Sequence, residues 1–548
     1  MTLMRFRNHS LRFLPGEEGG RRNAYLSPTR AKERERTMTL KPGRMARPWG
    51  MLAPVAFALV AGCRAGSPPP STPGGSAPAD AVASRVPPPP PIAAPKGTFL
   101  VKPYLQLGNS PAGAGGRERA TILWQTADQS GRWSVEVGDP RGEGWRAAAP
   151  PSPRRVALPG VAPYVAWTAL ADDLAPGAEF DYRVKRDGVP VFAARGRARK
   201  GSGQPHRFVV FGDCGAGTPG QKALAYRVFR ERPDFVFLTG DIVYDRGLLS
   251  EYRAKYFPVY NAETASAGTG APLLRSTLFL ATPGNHDITY NHLGRYPDAL
   301  AYFLLWSQPL NGPLGAVGAP GTPKLSGPEN RRQAFVTAAG PNYPRMANFS
   351  FRFGDAHWVV LDANYYVDWT NPALRAWVAR ELASARDAAW RFVAFHAPGF
   401  SSSRKHFDYQ KMRLLSPVFE AGGVDVVFSG HVHNYQRTFP LRFTPRRSAG
   451  GRWEDRRGRV AGDWVLDEAF DGAQNTRPQG VIYVVTGAGG GGLYDRKQPD
   501  DPASWQPFTQ RFVADTYSFT VADVEREKLT IQQVSPEGKE LDRFVVTR

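Results

Sequence analysis

Seven residues in five short motifs carry the chemistry of this chain. They are Asp213 in Gly212-Asp213-Cys214-Gly215, Asp241 and Tyr244 in Gly240-Asp241-Ile242-Val243-Tyr244, Asn285 in Gly284-Asn285-His286-Asp287, His396 in Val393-Ala394-Phe395-His396, and His431 and His433 in Gly430-His431-Val432-His433. Together they offer two carboxylates, a phenol, an amide oxygen and three imidazoles. Such donors suit Fe, Zn, Mn and Mg rather than thiolate-seeking ions. Seven exceed the four of one tetrahedral site. If one carboxylate bridges, two ions each receive four protein ligands and keep positions open for water and substrate. Cys214, wedged between Asp213 and Gly215, reads as a small buried residue rather than a ligand.

The segments that must position these residues have a regular pattern. From 205 onward, apolar runs come singly: Phe208–Phe211, Phe235–Leu238, Thr277–Leu280, Trp358–Leu361, Phe392–Phe395, Val424–Phe428 and Val481–Val485. Polar loops and amphipathic stretches such as Asn371–Arg386 separate them. This predicts an α/β (layered α+β) domain with buried, mixed β sheets over 205–548, the stretch Ser518–Val546 included. Asp213, Asp241, Asn285, His396 and His431 each fall one to four residues past a run. In open α/β sheets ligands gather at the carboxyl ends of strands, so five segments spread over some 220 residues are expected to converge on one rim. Upstream, 99–200 alternates short apolar strands with Gly/Pro turns, which predicts a small β-sandwich. The turn Leu174-Ala175-Pro176-Gly177-Ala178 resembles that of a fibronectin type III module.

The chain has 548 residues and a formal charge of +21, too long for one ordinary core. Residues 1–62 hold twelve Lys/Arg and four Asp/Glu, so the remainder stays basic. No basic tract is interleaved with aromatics as nucleic-acid grooves require, and no nucleic-acid partner is expected. Gly487 and Gly489–Gly492 lack the Lys-Ser/Thr ending of a P-loop. Two cysteines make no disulfide framework. Arg44 and Arg47 precede the apolar stretch Met51–Ala61, which ends Leu59-Val60-Ala61-Gly62-Cys63. This reads as an export signal, and its ending resembles a bacterial lipobox with Cys63 as the lipidated first residue. The expected location is therefore outside the cytoplasm, on the outer membrane or cell surface through the lipid anchor, otherwise periplasmic or secreted. Residues 1–37, ahead of Met38 and Met45, read as an upstream extension. Residues 63–98, with an unbroken proline run at Pro87–Pro91, read as an extended tether.

The five motifs, in order, resemble those of the calcineurin-like metallophosphoesterase superfamily. The Gly-Asp-x-x-Tyr spacing at Tyr244 and the preceding β-sandwich are similar to its purple acid phosphatase branch. The resemblance covers about 100–546. It implies that Asp213, Tyr244 and His433 hold one metal, that Asn285, His396 and His431 hold the other, and that Asp241 bridges. It further implies hydrolysis of phosphate monoesters of small substrates by a metal-bound hydroxide, with His286 donating to the phosphate or its leaving oxygen and Asp287 orienting His286. The same metals could instead serve a phosphodiesterase or nucleotidase, or the site could be a relic in a surface binding protein. A free phenol has a pKa of about 10, so a tyrosinate at neutral pH calls for a strong Lewis acid. Fe(III) paired with a divalent Fe, Zn or Mn is the expected cofactor. His406 and Arg437 are candidate substrate contacts. His357 reads as structural, His292 as a surface residue, and His206 has no chemical partner in view.

Overall fold

The computed structural model describes residues 89–548 apart from 93, 110–115, 141–143, 314, 316, 317 and 320. The export signal, Cys63 and most of the tether therefore lie outside the described residues. Among the described residues, no helix is long and apolar enough to cross a membrane.

Two mixed sheets form the larger part. One runs, from its edge inward, Glu540–Thr547, Lys528–Val534, Phe519–Val524, His206–Phe211, Phe235–Leu238 and Leu278–Ala281. The last three strands are mutually parallel, with Phe208 opposite Phe235 and Phe235 opposite Leu278. The other sheet runs Phe349–Phe353, Ala356–Val360, Trp390–Ala394, Val426–Ser429, Ile482–Thr486, Tyr435–Thr438 and Thr509–Val513, with its four middle strands from Ala356–Val360 to Ile482–Thr486 parallel. The sheets meet through aromatic side chains: Phe208 lies 5.0 Å edge-on to Trp358, and Phe235 sits 4.4 Å from Phe353. The parallel strands of this interior are largely apolar on both faces, which is why they read as continuous runs rather than alternating ones. The predicted amphipathic helix forms as Pro372–Ser384, where the Asn371 side chain accepts from the amides of Ala373 and Leu374 and Trp377, Val378 and Leu382 are buried.

The N-terminal β-rich region also has two layers, but it is not a separate body. Val101–Gln106, Glu118–Ala127, Tyr164–Leu174 and Ser152–Val156 make one layer; the other runs Trp145–Ala147, Trp133–Gly138, Glu179–Arg186, Val189–Arg197. Gln106 pairs in parallel with Phe279, so the first layer continues the sheet of the larger part into ten strands. One apolar cluster runs through both, from Trp124 and Tyr182 to Trp358 and Phe428. A reading by periodicity could place the strands but had no signal for this pairing across more than 170 residues.

His206 and His357 are structural, as their lack of partners implies. Both rings are buried and no protein atom bonds either nitrogen. Burial pushes each imidazole down to about 4. Between pH 6.5 and 4 the unfolded chain binds protons that the folded chain refuses, so this contribution is fully present above pH 6.5 and is lost as pH falls toward 4. The cost is up to about 3 kcal/mol per histidine. His206 packs among Phe208, Phe235 and Phe353, so His206→Phe is predicted to fold. Denaturant unfolding at pH 7 and pH 5 should show a smaller loss of stability for the variant than for the parent; equal losses would contradict this.

Candidate metal centre

All five strand-end segments project to one rim. Asp213 follows the strand His206–Phe211, Asp241 follows Phe235–Leu238, Asn285 follows Leu278–Ala281, His396 follows Trp390–Ala394 and His431 follows Val426–Ser429. Three of these residues leave their strands with left-handed backbone: φ is 57° at Asp213, 48° at Asp241 and 67° at His431. Such φ values in non-glycine residues cost about 1–3 kcal/mol each and cluster at functional sites. Here they swing the side chains off the sheet into a common space.

The donors form two groups that share Asp241. In the first, the Tyr244 hydroxyl lies 2.8 Å from His433 Nε2 and 3.2 Å from Asp213 Oδ1, and His433 Nε2 is 3.4 Å from that same Asp213 oxygen. In the second, His396 Nε2 is 3.0 Å from Asn285 Oδ1 and 3.1 Å from His431 Nδ1. Asp241 touches both, with Oδ2 3.4 Å from the Tyr244 hydroxyl and Oδ1 3.4 Å from His396 Nε2. Asp241, His396 and His431 alone could close on one ion.

Backbone carbonyls decide which imidazole nitrogens face inward. His396 donates its Nδ1 hydrogen to the Thr239 carbonyl at 2.8 Å, and His433 donates its Nδ1 hydrogen to Gly492 at 2.6 Å. Each then presents a lone pair at Nε2, as metal-binding histidines do when the other nitrogen is engaged.

Two observations test whether these residues fit a pair of cations. Asp213 and Asp241 are 0% and 2% exposed, yet among the described residues neither forms an ion pair with Lys or Arg. Buried carboxylates need compensating charge, and only neutralisable imidazoles surround them. Second, one donor atom from each of Asp241, His396 and His431 lies within 4.8 Å of the others, and all three residues are buried. Burial, reinforced by Asp213 and Asp241, drives the Tyr244 phenol well above its usual pKa. Its deprotonation therefore requires a strong cation. The donor set fits two metal ions.

His286 and Asp287 divide. The His286 ring is half-exposed, 4.7 Å from the Tyr244 ring, and holds the Asp245 carbonyl at 2.6 Å through Nδ1, so Nε2 faces the cluster, 3.9 Å from Asp241. The Asp287 carboxylate does not orient it, contrary to expectation. Asp287 instead accepts from the amides of Gly284 at 2.8 Å and Ile242 at 3.3 Å, tying the Asn285 loop to the Asp241 loop. Burial and the neighbouring Asp241 raise its pKa.

Arg437 also lies away from the site expected of it. Its guanidinium is buried, grips Asp542 at 2.7 and 3.1 Å, bonds Gln510 and lies over Phe544, so it anchors the C-terminal strand and cannot meet substrate. Tyr435 bonds the same carboxylate at 2.7 Å. His406 does reach the rim, 4.2 Å ring to ring from His431. Burial and then Lys405 lower its pKa to about 4. His292 is exposed, and Cys214 is buried with its thiol toward the Ile242 carbonyl.

The sequence reading missed what holds the imidazoles. Tyr494 stacks on His433 at 4.0 Å, and Tyr409 stands edge-on to His431 at 5.1 Å. The clue lay in the run Gly489–Gly492, read only as lacking the ending of a P-loop. A Cβ at Gly491 would stand 2.8 Å from the His433 ring and 3.1 Å from the Asp213 carbonyl oxygen. The glycines are there because backbone must pass directly behind the His433 ring and Asp213.

Residues 206–435 match the calcineurin-like phosphoesterase family. The chain is 26% identical over 285 residues to purple acid phosphatase 23 of Arabidopsis thaliana, covering 49% of this chain and 56%, just over half, of that relative. It is 24% identical over 401 residues to the Mycobacterium tuberculosis protein Rv2577, covering 68% of each. In fold it is similar to the purple acid phosphatase PPD1 of yellow lupin, with a TM-score of 0.57 at 16% identity over 81% of this chain and 74% of the other.

The packing behind His433 gives a direct prediction. Gly491→Ala should displace the imidazole by a few tenths of an ångström or more and lower phosphoester turnover by about tenfold to a hundredfold, with an unchanged far-ultraviolet circular dichroism spectrum. Turnover within twofold of the parent would show that the close passage is unimportant.

Proposed function

We propose that the protein hydrolyses phosphate monoesters, in the manner of an acid phosphatase, at a pair of metal ions; the match of residues 206–435 to the calcineurin-like phosphoesterase family supports the reading. The observation that carries the reading is the shared Asp241 between a tyrosine-containing donor group and an all-neutral Asn/His/His group. Asp213, Tyr244 and His433 would hold one ion, Asn285, His396 and His431 the other, with Asp241 between them. Two such ions supply a polarised phosphoryl oxygen, an acidified water and a stabilised departing oxygen.

The chain's own residues do the remainder. His286, half-exposed with its Nδ1 hydrogen given to the Asp245 carbonyl, is placed so that its doubly protonated form holds the second proton at Nε2 toward a phosphoryl or leaving oxygen. Asp287 keeps the Asn285 and Asp241 loops in register through their amides. His406 lies over His431 on the open side of the cluster, where it can meet the substrate. The two groups differ in charge: one contains two potential anions, Asp213 and Tyr244, beyond the shared carboxylate, and the other none. This asymmetry favours a trivalent ion on the tyrosine side and a divalent one opposite. Fe(III) with Fe, Zn or Mn is the assignment, because a buried phenol beside two carboxylates gives up its proton only to a strong Lewis acid.

Purified protein is predicted to turn over p-nitrophenyl phosphate faster than its bis ester. His286→Ala should lower kcat by about a hundredfold or more while retaining bound metal. A visible tyrosinate-to-iron absorption band should be lost in Tyr244→Phe. Faster turnover of the diester would overturn the monoester reading, and a colourless, iron-free but active protein would overturn the metal assignment.

A further inference from the structure

Away from the metal centre, a polar cavity of about 180 Å³ lies where the N-terminal β-rich region meets the segment around Leu304–Ser307. Its wall is one cross-strand row. Gln125 pairs with Ala166, and Ala166 pairs with Arg154, so the three side chains share a face with only a methyl group in the middle. The small alanine leaves a gap between an amide and a guanidinium.

The groups around that gap have hydrogen-bonding capacity in surplus, and both of its unpartnered nitrogens can only donate. Arg154 gives one bond, from Nη2 to the Leu304 carbonyl at 3.0 Å, while its Nη1 is buried without a partner. Gln125 is 1% exposed. Its Oε1 is taken by Arg253, which approaches through Nη2 at 2.7 Å and Nε at 3.2 Å, so its free Nε2 is a donor. Tyr164, two residues along on the same face, has a buried and unpartnered hydroxyl, and its ring stacks under the Arg253 guanidinium at 4.7 Å. Neither Arg154 nor Arg253 makes an ion pair among the described residues. Largely buried guanidinium groups without a counter-ion are costly, and burial depresses the pKa of both.

We propose that this cavity is a second ligand site, binding a small oxyanion of the phosphate or carboxylate type between Arg154 and Gln125. An oxyanion supplies what the wall lacks: negative charge for Arg154 and acceptors for Nη1 and Nε2, in charge-assisted bonds stronger than those water offers. The volume falls below the roughly 300 Å³ at which drug-sized ligands begin to fit, which limits the ligand to a small ion rather than a nucleotide. A bound anion would hold in place Arg154, whose Nη2 already donates to the Leu304 carbonyl of the larger part. The inference does not depend on the phosphoesterase reading.

The test titrates phosphate, sulfate and malonate, at constant ionic strength, into the full chain and into His431→Ala, Arg154→Gln and Ala166→Leu variants. Tryptophan fluorescence is the readout, since Trp167 and Trp306 border the cavity, together with the thermal midpoint. A saturable response to at least one anion, with a rising midpoint, is expected to survive in His431→Ala and to vanish in Arg154→Gln, which should retain p-nitrophenyl phosphate turnover within twofold of the parent. Ala166→Leu fills the gap, leaves the guanidinium in place and should abolish the response as well; it carries the comparison if Arg154→Gln does not fold. Phosphate against malonate separates the two anion sources. No saturable response to any of the three, or a response lost in His431→Ala, would leave only water in the cavity or place the anion at the metal centre, and either result overturns the proposal.

Discussion

Everything at the rim depends on two carboxylates that the fold buries without a basic partner. Asp213 and Asp241 are buried in the cluster, and the groups that reach them are the Tyr244 phenol, the imidazoles of His286, His396 and His433, and backbone amides. Anions in such a place are stable only if cations are bound or the imidazoles take up protons. The protein shapes that choice by spending the outward nitrogens of His396 and His433 on carbonyls. The inward lone pairs then converge where the carboxylate oxygens already point.

That arrangement passes its demands to the surrounding chain. Strand ends must turn sharply, so Asp213, Asp241 and His431 adopt left-handed backbone. Loops must approach within van der Waals contact of one another, so glycines flank nearly every ligand; a Cβ at Gly240, itself at φ +89°, would stand 2.7 Å from both the Gly284 amide and His396 Nδ1. The loops must also share register, which the buried Asp287 secures by accepting from two of them. Beneath them, the aromatic interface between the two sheets gives these strained turns a stiff base. The site and the core are therefore one construction, with the strain of the rim offset by burial below it.

Much of this was legible in the sequence because it is local. Each ligand sits in a motif of two to five residues after an apolar run, and run and motif together define a strand end and its turn. The helix at Pro372–Ser384 and the mixed sheets were readable for the same reason. What escaped was set by contacts between distant segments. Arg437 stands next to the histidine pair in sequence, but strand alternation turns it away toward Asp542, more than a hundred residues on. Asp287 is adjacent to His286, yet the helical turn that begins at Asn285 sends the two side chains in different directions, and a carbonyl from Asp245 takes the orienting role. The fusion of the N-terminal strands to the larger sheet rests on a single pairing, Gln106 with Phe279. Backbone partners such as the Gly492 carbonyl leave no side-chain signature at all.

The central claim is that Asp241 joins two metal positions. Anomalous diffraction from crystals of the purified protein, recorded across the iron edge and those of zinc and manganese, tests it most directly. The account predicts two peaks about 3.5–4 Å apart with the Asp241 carboxylate between them, and iron in the position beside Tyr244 and His433. A single peak, or two peaks with Asp241 bound to only one, would contradict it.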